Sequence, residues 1–207
     1  MKFIKIENSV LSENTYLVYD ENTLRGFLID TGSDRERIEE AVKKSSVRVE
    51  GILLTHGHFD HALSAKYFQD TGIPVYIHEK DADKLPSHKY DMSRFFGAKY
   101  DTFSADVFIE EGELALAGIP FRVIHTPGHS AGGVCYYFEE DGVVFTGDTL
   151  FSEDIGRSDF KDGSFETLKA SIVDKLFVLP DSVKVCPGHE EDTTIGKEKN
   201  NKDLFRQ

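Results

Sequence analysis

His56-Gly57-His58-Phe59-Asp60-His61, directly behind the apolar run Gly51-Ile52-Leu53-Leu54-Thr55, is the stretch on which the reading of this chain turns. Three imidazoles and a carboxylate crowd into it. In an extended segment, residues i and i+2 point to the same side. His56 and His58 can therefore grip one ion, while Asp60 and His61, beyond the bend, are free to face another. Neutral imidazole and carboxylate are ligands that zinc, manganese and iron accept. A histidine-rich polar surface loop is the plainer reading, and this stretch alone does not dispose of it.

The rest of the chain does. Three more potential ligands each stand just past an apolar strand-like run: His129 after Phe121–Ile124, Asp148 after Val143–Phe145, and His189 after Val183–Cys186. Each follows a glycine (Gly128, Gly147, Gly188), and Pro127-Gly128-His129 and Pro187-Gly188-His189 share a tripeptide. Glycine permits positive φ and close approach of backbone to a bound group. One such turn would be ordinary. Four strand-end sites together point to a centre on loops at one sheet edge.

Composition narrows the classes. A chain of 207 residues with 39% hydrophobic and 29% charged residues reads as a single globular domain, 1–207. No apolar stretch approaches the ~18 residues of a membrane span, and Met1–Glu7 alternates like a strand, not a signal peptide. Two cysteines, Cys135 and Cys186, make no disulfide framework, so a cytoplasmic, reducing location is the default, with both as small buried hydrophobes. The net charge of −13 argues against nucleic-acid and anionic-membrane partners.

Strands are predicted at Phe3–Ile6, Thr15–Tyr19, Gly26–Ile29, Ile52–Leu54 and Val75–Ile77, then Leu114–Leu116 and Phe121–Ile124 as a hairpin about Gly118. Val134–Phe138 and Val143–Phe145 join through Asp141-Gly142, and Val183–Cys186 is the last strand. A helix is predicted from a capping box at Ser33 to Lys44, others from about Ala62 to Gly72, over Glu79–Leu85, over Phe165–Leu179 and over Ile195–Phe205. Strands and helices alternate in two similar halves, which suggests two packed sheets with helices outside. His125 is expected to pack at a strand end, and His78 and His88 to be exposed. Arg157 and Asp159 are expected to pair and shape a loop, while Phe95, Phe96 and Tyr100 anchor a connection or line an entrance.

His56-x-His58-x-Asp60-His61 with His129, Asp148 and His189 resembles the metallo-β-lactamase superfamily, specifically its small, single-domain glyoxalase II-like hydrolases. Leu28–Gly32, His125–His129, Gly147–Phe151 and Ile155–Phe160 also match family motifs in order. The resemblance implies an α/β (α+β) fold, a four-layer αββα sandwich with a dinuclear site at one edge. It implies that His56, His58 and His129 hold one of two divalent metal ions, Zn ahead of Fe or Mn. Asp60, His61 and His189 would hold the other, Asp148 would bridge, and Asp30 would support the ligands from beside the site. Ala62-Leu63-Ser64-Ala65 departs from the glycine-containing sequence common after the motif. The residues after His189 are too few for the glutathione-binding helical domain of larger glyoxalase II enzymes, so that domain's residues are not carried over.

Two ions ~3.5–4 Å apart can share a water, lower its pKa to about neutral and polarise a carbonyl. Asp60 is then the catalytic carboxylate, orienting the nucleophile and taking its proton. A thiolate leaves without much acid assistance, so the expected substrate is a small-molecule thioester of the lactoylglutathione type. The alternatives are a mononuclear-iron persulfide dioxygenase, a lactone hydrolase, and a non-catalytic metal-binding protein of the same fold. A class B β-lactamase and a nuclease of this fold are disfavoured.

Overall fold

Alternation along the strands builds the layers. In a computed structural model that describes residues 1–88 and 92–206, twelve strands form two six-stranded mixed sheets. The first holds β1 (Lys2–Glu7), β2 (Asn14–Tyr19), β3 (Arg25–Ile29), β4 (Arg48–Leu53), β5 (Val75–His78) and β6 (Val107–Ile109), in that spatial order. The second holds β7 (Gly112–Leu116), β8 (Ile119–His125), β9 (Val134–Phe138), β10 (Val143–Gly147), β11 (Lys184–Pro187) and β12 (Thr193–Thr194), again in chain order. Helices α1 (Arg35–Ser45) and α2 (Ala65–Asp70) cover the first sheet, and α3 (Phe165–Ser171) and α4 (Ile195–Lys199) the second.

Successive strand residues enter different cores, as a period of two requires. Phe27 and Ile29 of β3 pack between the sheets against Phe121, Tyr136 and Phe145, whereas Leu28 faces Ile38 and Phe68 on the helical side. Likewise Val134, Tyr136 and Phe138 point inward, while Cys135 and Tyr137 join Leu168, Ile172 and Leu176 beneath α3. Three apolar interfaces separate four layers, the αββα sandwich expected. Both cysteines are buried and unbridged, as expected, and burial pushes their thiols up to about 11 for Cys135 and about 12 for Cys186.

The hairpin at Gly118 is as predicted, with Ala117 (φ 56°) and Gly118 (φ 83°) both left-handed, the pattern of a tight turn matched to strand twist. Several helix expectations need correction. No capping box forms at Ser33: its hydroxyl donates to Asp34 and accepts from the Val10 amide, so α1 starts two residues later. The segment after His61 is held by Ser64 bonding Thr31 and Gly32, which delays α2 to Ala65. Glu79–Leu85 keeps only one tight turn, Glu79–Asp81. Beyond Ser171, Ile172–Leu176 continues in a wider helical turn, with Phe177 N bonded to Ile172 O. The terminal helix stops at Lys199 because Asn200 and Asn201 bond locally to Gly196 and Asp203. Strands β6 and β12 escaped the sequence reading. Among the described residues, no helix is long and apolar enough to cross a membrane.

Candidate metal centre

The candidate ligands come from both sheets and meet at one edge. Asp30 follows β3, His56–His61 follows β4, His129 follows β8, Asp148 follows β10 and His189 follows β11. β3 runs parallel to β4, and β10 to β11. β8 lies two antiparallel steps from β10, so it ends at the same edge. Two glycines allow the close approach. Gly147 adopts φ 49° with space for a Cβ only 2.4 Å from Thr55 Oγ1, and a Cβ on Gly188 would lie 2.6 Å from Asp148 Oδ1.

The side chains gather into two triads. His56 Nε2, His58 Nδ1 and His129 Nε2 form a triangle with edges of 3.0, 2.9 and 3.2 Å. In the second triad, His61 Nε2 and His189 Nε2 are 3.2 Å apart, with Asp60 Oδ2 3.8 and 3.4 Å from them. Asp148 divides its oxygens between the two. Oδ2 is 3.3 Å from His129 Nε2 and 4.0 Å from His56 Nε2, whereas Oδ1 is 3.2 Å from His61 Nε2 and 3.5 Å from His189 Nε2. That Oδ1 is buried and makes no hydrogen bond.

Outer partners fix which nitrogens face inward. His61 Nδ1 donates to Asp30 Oδ2 at 2.9 Å, His129 Nδ1 to Arg157 O at 2.7 Å, and His189 Nδ1 to Leu11 O at 2.9 Å. Thr55 Oγ1 gives its own proton to Asp30 Oδ2 at 2.8 Å and so accepts from His56 Nδ1 at 3.1 Å. Each of these four imidazoles therefore turns an Nε2 lone pair toward the centre. Converging lone pairs repel unless a cation or protons lie among them. Three nitrogens on one tetrahedral zinc at roughly 2.0–2.1 Å would stand about 3.3 Å apart, close to the observed edges. The residues present fit metal ions.

Electrostatics agree. Burial, helped by the neighbouring imidazoles, holds His56 well below its ordinary value and His58 down at about 4, so both are neutral donors. In the second triad burial is overcome: Asp148, Asp30 and Asp60 lift His61 far above its ordinary value, and Asp148 with Asp60 pushes His189 up to about 10. Burial alone would raise Asp60 and Asp148, yet the imidazoles keep both below the usual carboxylate range. A field that draws protons onto His61 and His189 also favours a cation there.

Asp30 sits where expected, its Oδ1 accepting from Thr55 N at 2.8 Å while Oδ2 orients His61. Three contributors escaped the sequence. Thr55 orients His56, and Glu13 lies fully buried with Oε1 3.9 Å from His61 Nδ1, its carboxyl pushed well up by burial. Asp81 accepts from the Gly57 amide inside the histidine motif. Glu13 gave no signal because Leu11-Ser12-Glu13-Asn14-Thr15 reads as an ordinary polar turn.

At the rim, Phe160 packs against His58 and His129 with ring centroids 4.9 and 5.6 Å away, under the Arg157 guanidinium. Arg157 and Asp159 pair in bidentate fashion, as expected. Tyr100 is buried, Phe95 is exposed and Phe96 stacks on Phe59. His88 is exposed as expected. His78 is not: it is buried and stacks on His125 at 4.3 Å, because β5 brings it beside the end of β8.

Residues 8–189 match the family described as the Metallo-beta-lactamase superfamily. A probable metallo-hydrolase of Streptococcus pyogenes is 38% identical over 99% of this chain and 90% of its own length. The hydroxyacylglutathione hydrolase GloC of Haemophilus influenzae is 37% identical over 92% of both chains. Among solved structures, the BLEG-1 B3 metallo-beta-lactamase superposes with a TM-score of 0.92 at 36% identity, covering 98% of this chain and 99% of its own. TTHA1623, solved in a di-iron-bound form, gives 0.84 at 34% identity, covering 96% and 98%. A match across nearly the whole length, with relatives this similar, means that the chain belongs to the metallo-beta-lactamase superfamily.

Proposed function

We propose that this metal-dependent hydrolase cleaves a small-molecule thioester of the hydroxyacylglutathione type at a dinuclear centre. The observation that carries the reading is Asp148, whose two oxygens are divided between two converging sets of imidazole lone pairs. Its support on the substrate side is the 37% identity to GloC. His56, His58 and His129 would hold one ion, Asp60, His61 and His189 the other, and Asp148 would serve both. Zinc suits these donors. When bound, the ions supply Lewis acidity toward the thioester carbonyl and a lowered pKa for the attacking water.

The chain's own residues do the rest. Asp60 is ionised and buried beside His189, so it orients the nucleophilic water and accepts its proton. Asp30 and Thr55 hold His61 and His56 in the tautomers that keep lone pairs inward. Phe160 shields the His58–His129 side from bulk water. The leaving thiol has an ordinary pKa of about 8.5, so it departs as thiolate and needs no dedicated acid. Two unbridged buried cysteines suit a cytoplasmic setting.

The test pairs elemental analysis of aerobically purified protein with four assays: lactoylglutathione cleavage, lactone hydrolysis, persulfide-dependent oxygen uptake and opening of a chromogenic β-lactam. The last is included because BLEG-1 is a metallo-beta-lactamase. Two equivalents of metal with thioester cleavage and no oxygen uptake is the expected result. His58→Ala should lose metal and activity together, and Asp60→Asn should lower kcat by ~10²-fold or more. Oxygen uptake or β-lactam turnover without thioester cleavage would overturn the assignment.

A further inference from the structure

Beneath the histidine motif lies a buried ion cluster that the proposed reaction does not use. Asp81, fully buried in the turn after β5, accepts from Gly57 N at 2.9 Å through Oδ2 and from Gly132 N at 2.7 Å through Oδ1. Lys84, also buried, places Nζ 2.5 Å from Asp81 Oδ1 and 2.7 Å from Asp162 Oδ2. Asp162 Oδ2 in turn accepts from Ala131 N at 3.4 Å. Burial alone would depress the Lys84 ammonium, but Asp81 and Asp162 outweigh it and hold it above its ordinary value. The cluster stays charged at neutral pH.

Its attachments are selective. Gly57 separates His56 from His58, and Ala131 and Gly132 follow His129. Asp162 closes the segment in which Arg157 O accepts from His129 Nδ1 and Phe160 packs on His58. Both glycines leave room only for the cluster: a Cβ on Gly57 would lie 2.8 Å from Asp81 O, and one on Gly132 2.6 Å from Asp81 N. The second triad is held by other means, His61 by Asp30 and His189 by Leu11 O. The cluster's hydrogen bonds thus go to the loops of the first triad, whose His56 is held in addition by Asp30 through Thr55.

We infer that Asp81, Lys84 and Asp162 are positioning residues for the ion held by His56, His58 and His129, and set its affinity without touching it. A buried ion pair is weak evidence for stability, since apolar replacements often serve as well. Here the two carboxylates instead fix loops that carry ligands, Lys84 ties the carboxylates together, and outer partners of ligands are commonly worth 10–100-fold in metal affinity. The inference rests on the dinuclear reading above.

The test uses full-length protein reconstituted with cobalt(II) and titrated against a chelator, comparing wild type with Lys84→Met and Asp162→Asn. Asp162 is partly exposed, so its variant keeps the comparison open if Lys84→Met fails to fold. The expected result is a fall of tenfold or more in affinity for one cobalt, with the other within about threefold. The remaining cobalt should show the absorption spectrum of His58→Ala protein, not that of His189→Ala. Equal loss of both ions, or of neither, overturns the inference while leaving the dinuclear reading intact. Wild-type protein that takes up no cobalt overturns both.

Discussion

A single carboxylate shows how closely the centre is specified. Asp30 adopts a left-handed backbone (φ 55°), which aspartate tolerates better than most side chains. From there it accepts from Thr55 N, Thr55 Oγ1 and His61 Nδ1, all at 2.8–2.9 Å. One group thereby fixes the tautomers of His61 and, through Thr55, of His56. Asp30→Asn keeps the size but presents an amide N–H where one of those protons must go. Metal affinity should fall ~10–100-fold by chelator competition, while the far-ultraviolet spectrum is unchanged; unaltered affinity would show that Asp30 is only a turn residue. The seven candidate ligands could be found in the sequence because they cluster in one histidine-rich stretch or stand just past an apolar strand, whereas Asp30 was picked out by the family resemblance. Glu13, Asp81 and Lys84 could not be found, because the contacts that matter are with residues far along the chain.

At the scale of elements, hydrophobic period carried most of the fold and local hydrogen bonding accounted for most departures. Continuous apolar runs such as Val134–Phe138 were legible because both faces are buried. The three-residue β6 and two-residue β12 were not, since a strand that short has no period to read and exists because β5 and β11 offer an edge. Helix starts failed where a serine had another partner, as Ser33 and Ser64 do. The contact between α3 and the His129 loop leaves no room for a side chain. Gly128 has φ 134°, and a Cβ there would fall 2.2 Å from Leu168 N, in backbone that cannot yield. Gly128→Ala should therefore push α3 and His129 apart, lowering Tm on the order of 10 °C for a loss of about 2–4 kcal/mol. A thermal melt within ~2 °C of wild type would mean that the loop relaxes around the added methyl.

For the whole molecule, the centre is a clasp between sheets. The first sheet supplies His56, His58, Asp60 and His61, and the second supplies His129, Asp148 and His189, so ions held among them would join the two halves. A ligand that binds only the folded state stabilises by mass action, about 4 kcal/mol per ion at a thousandfold excess over Kd. Its pH dependence follows from His189, pushed up to about 10 by Asp148 and Asp60 against the opposing effect of burial. With a chelator present, this raised pKa contributes stability that is complete below the unfolded value of about 6.5 and is lost as pH rises through about 10. With metal present the sign reverses, because the bound ion must displace that proton and competes better as pH rises. The gap in Tm between metal-loaded and chelated protein should therefore widen from pH 6.5 to pH 9, with protons released on metal addition at pH 7. Net charge grows more negative over the same range in both samples, so the difference between them isolates the site. Melts at matched ionic strength that show a constant or narrowing gap would mean that no ion shares the pocket with His189.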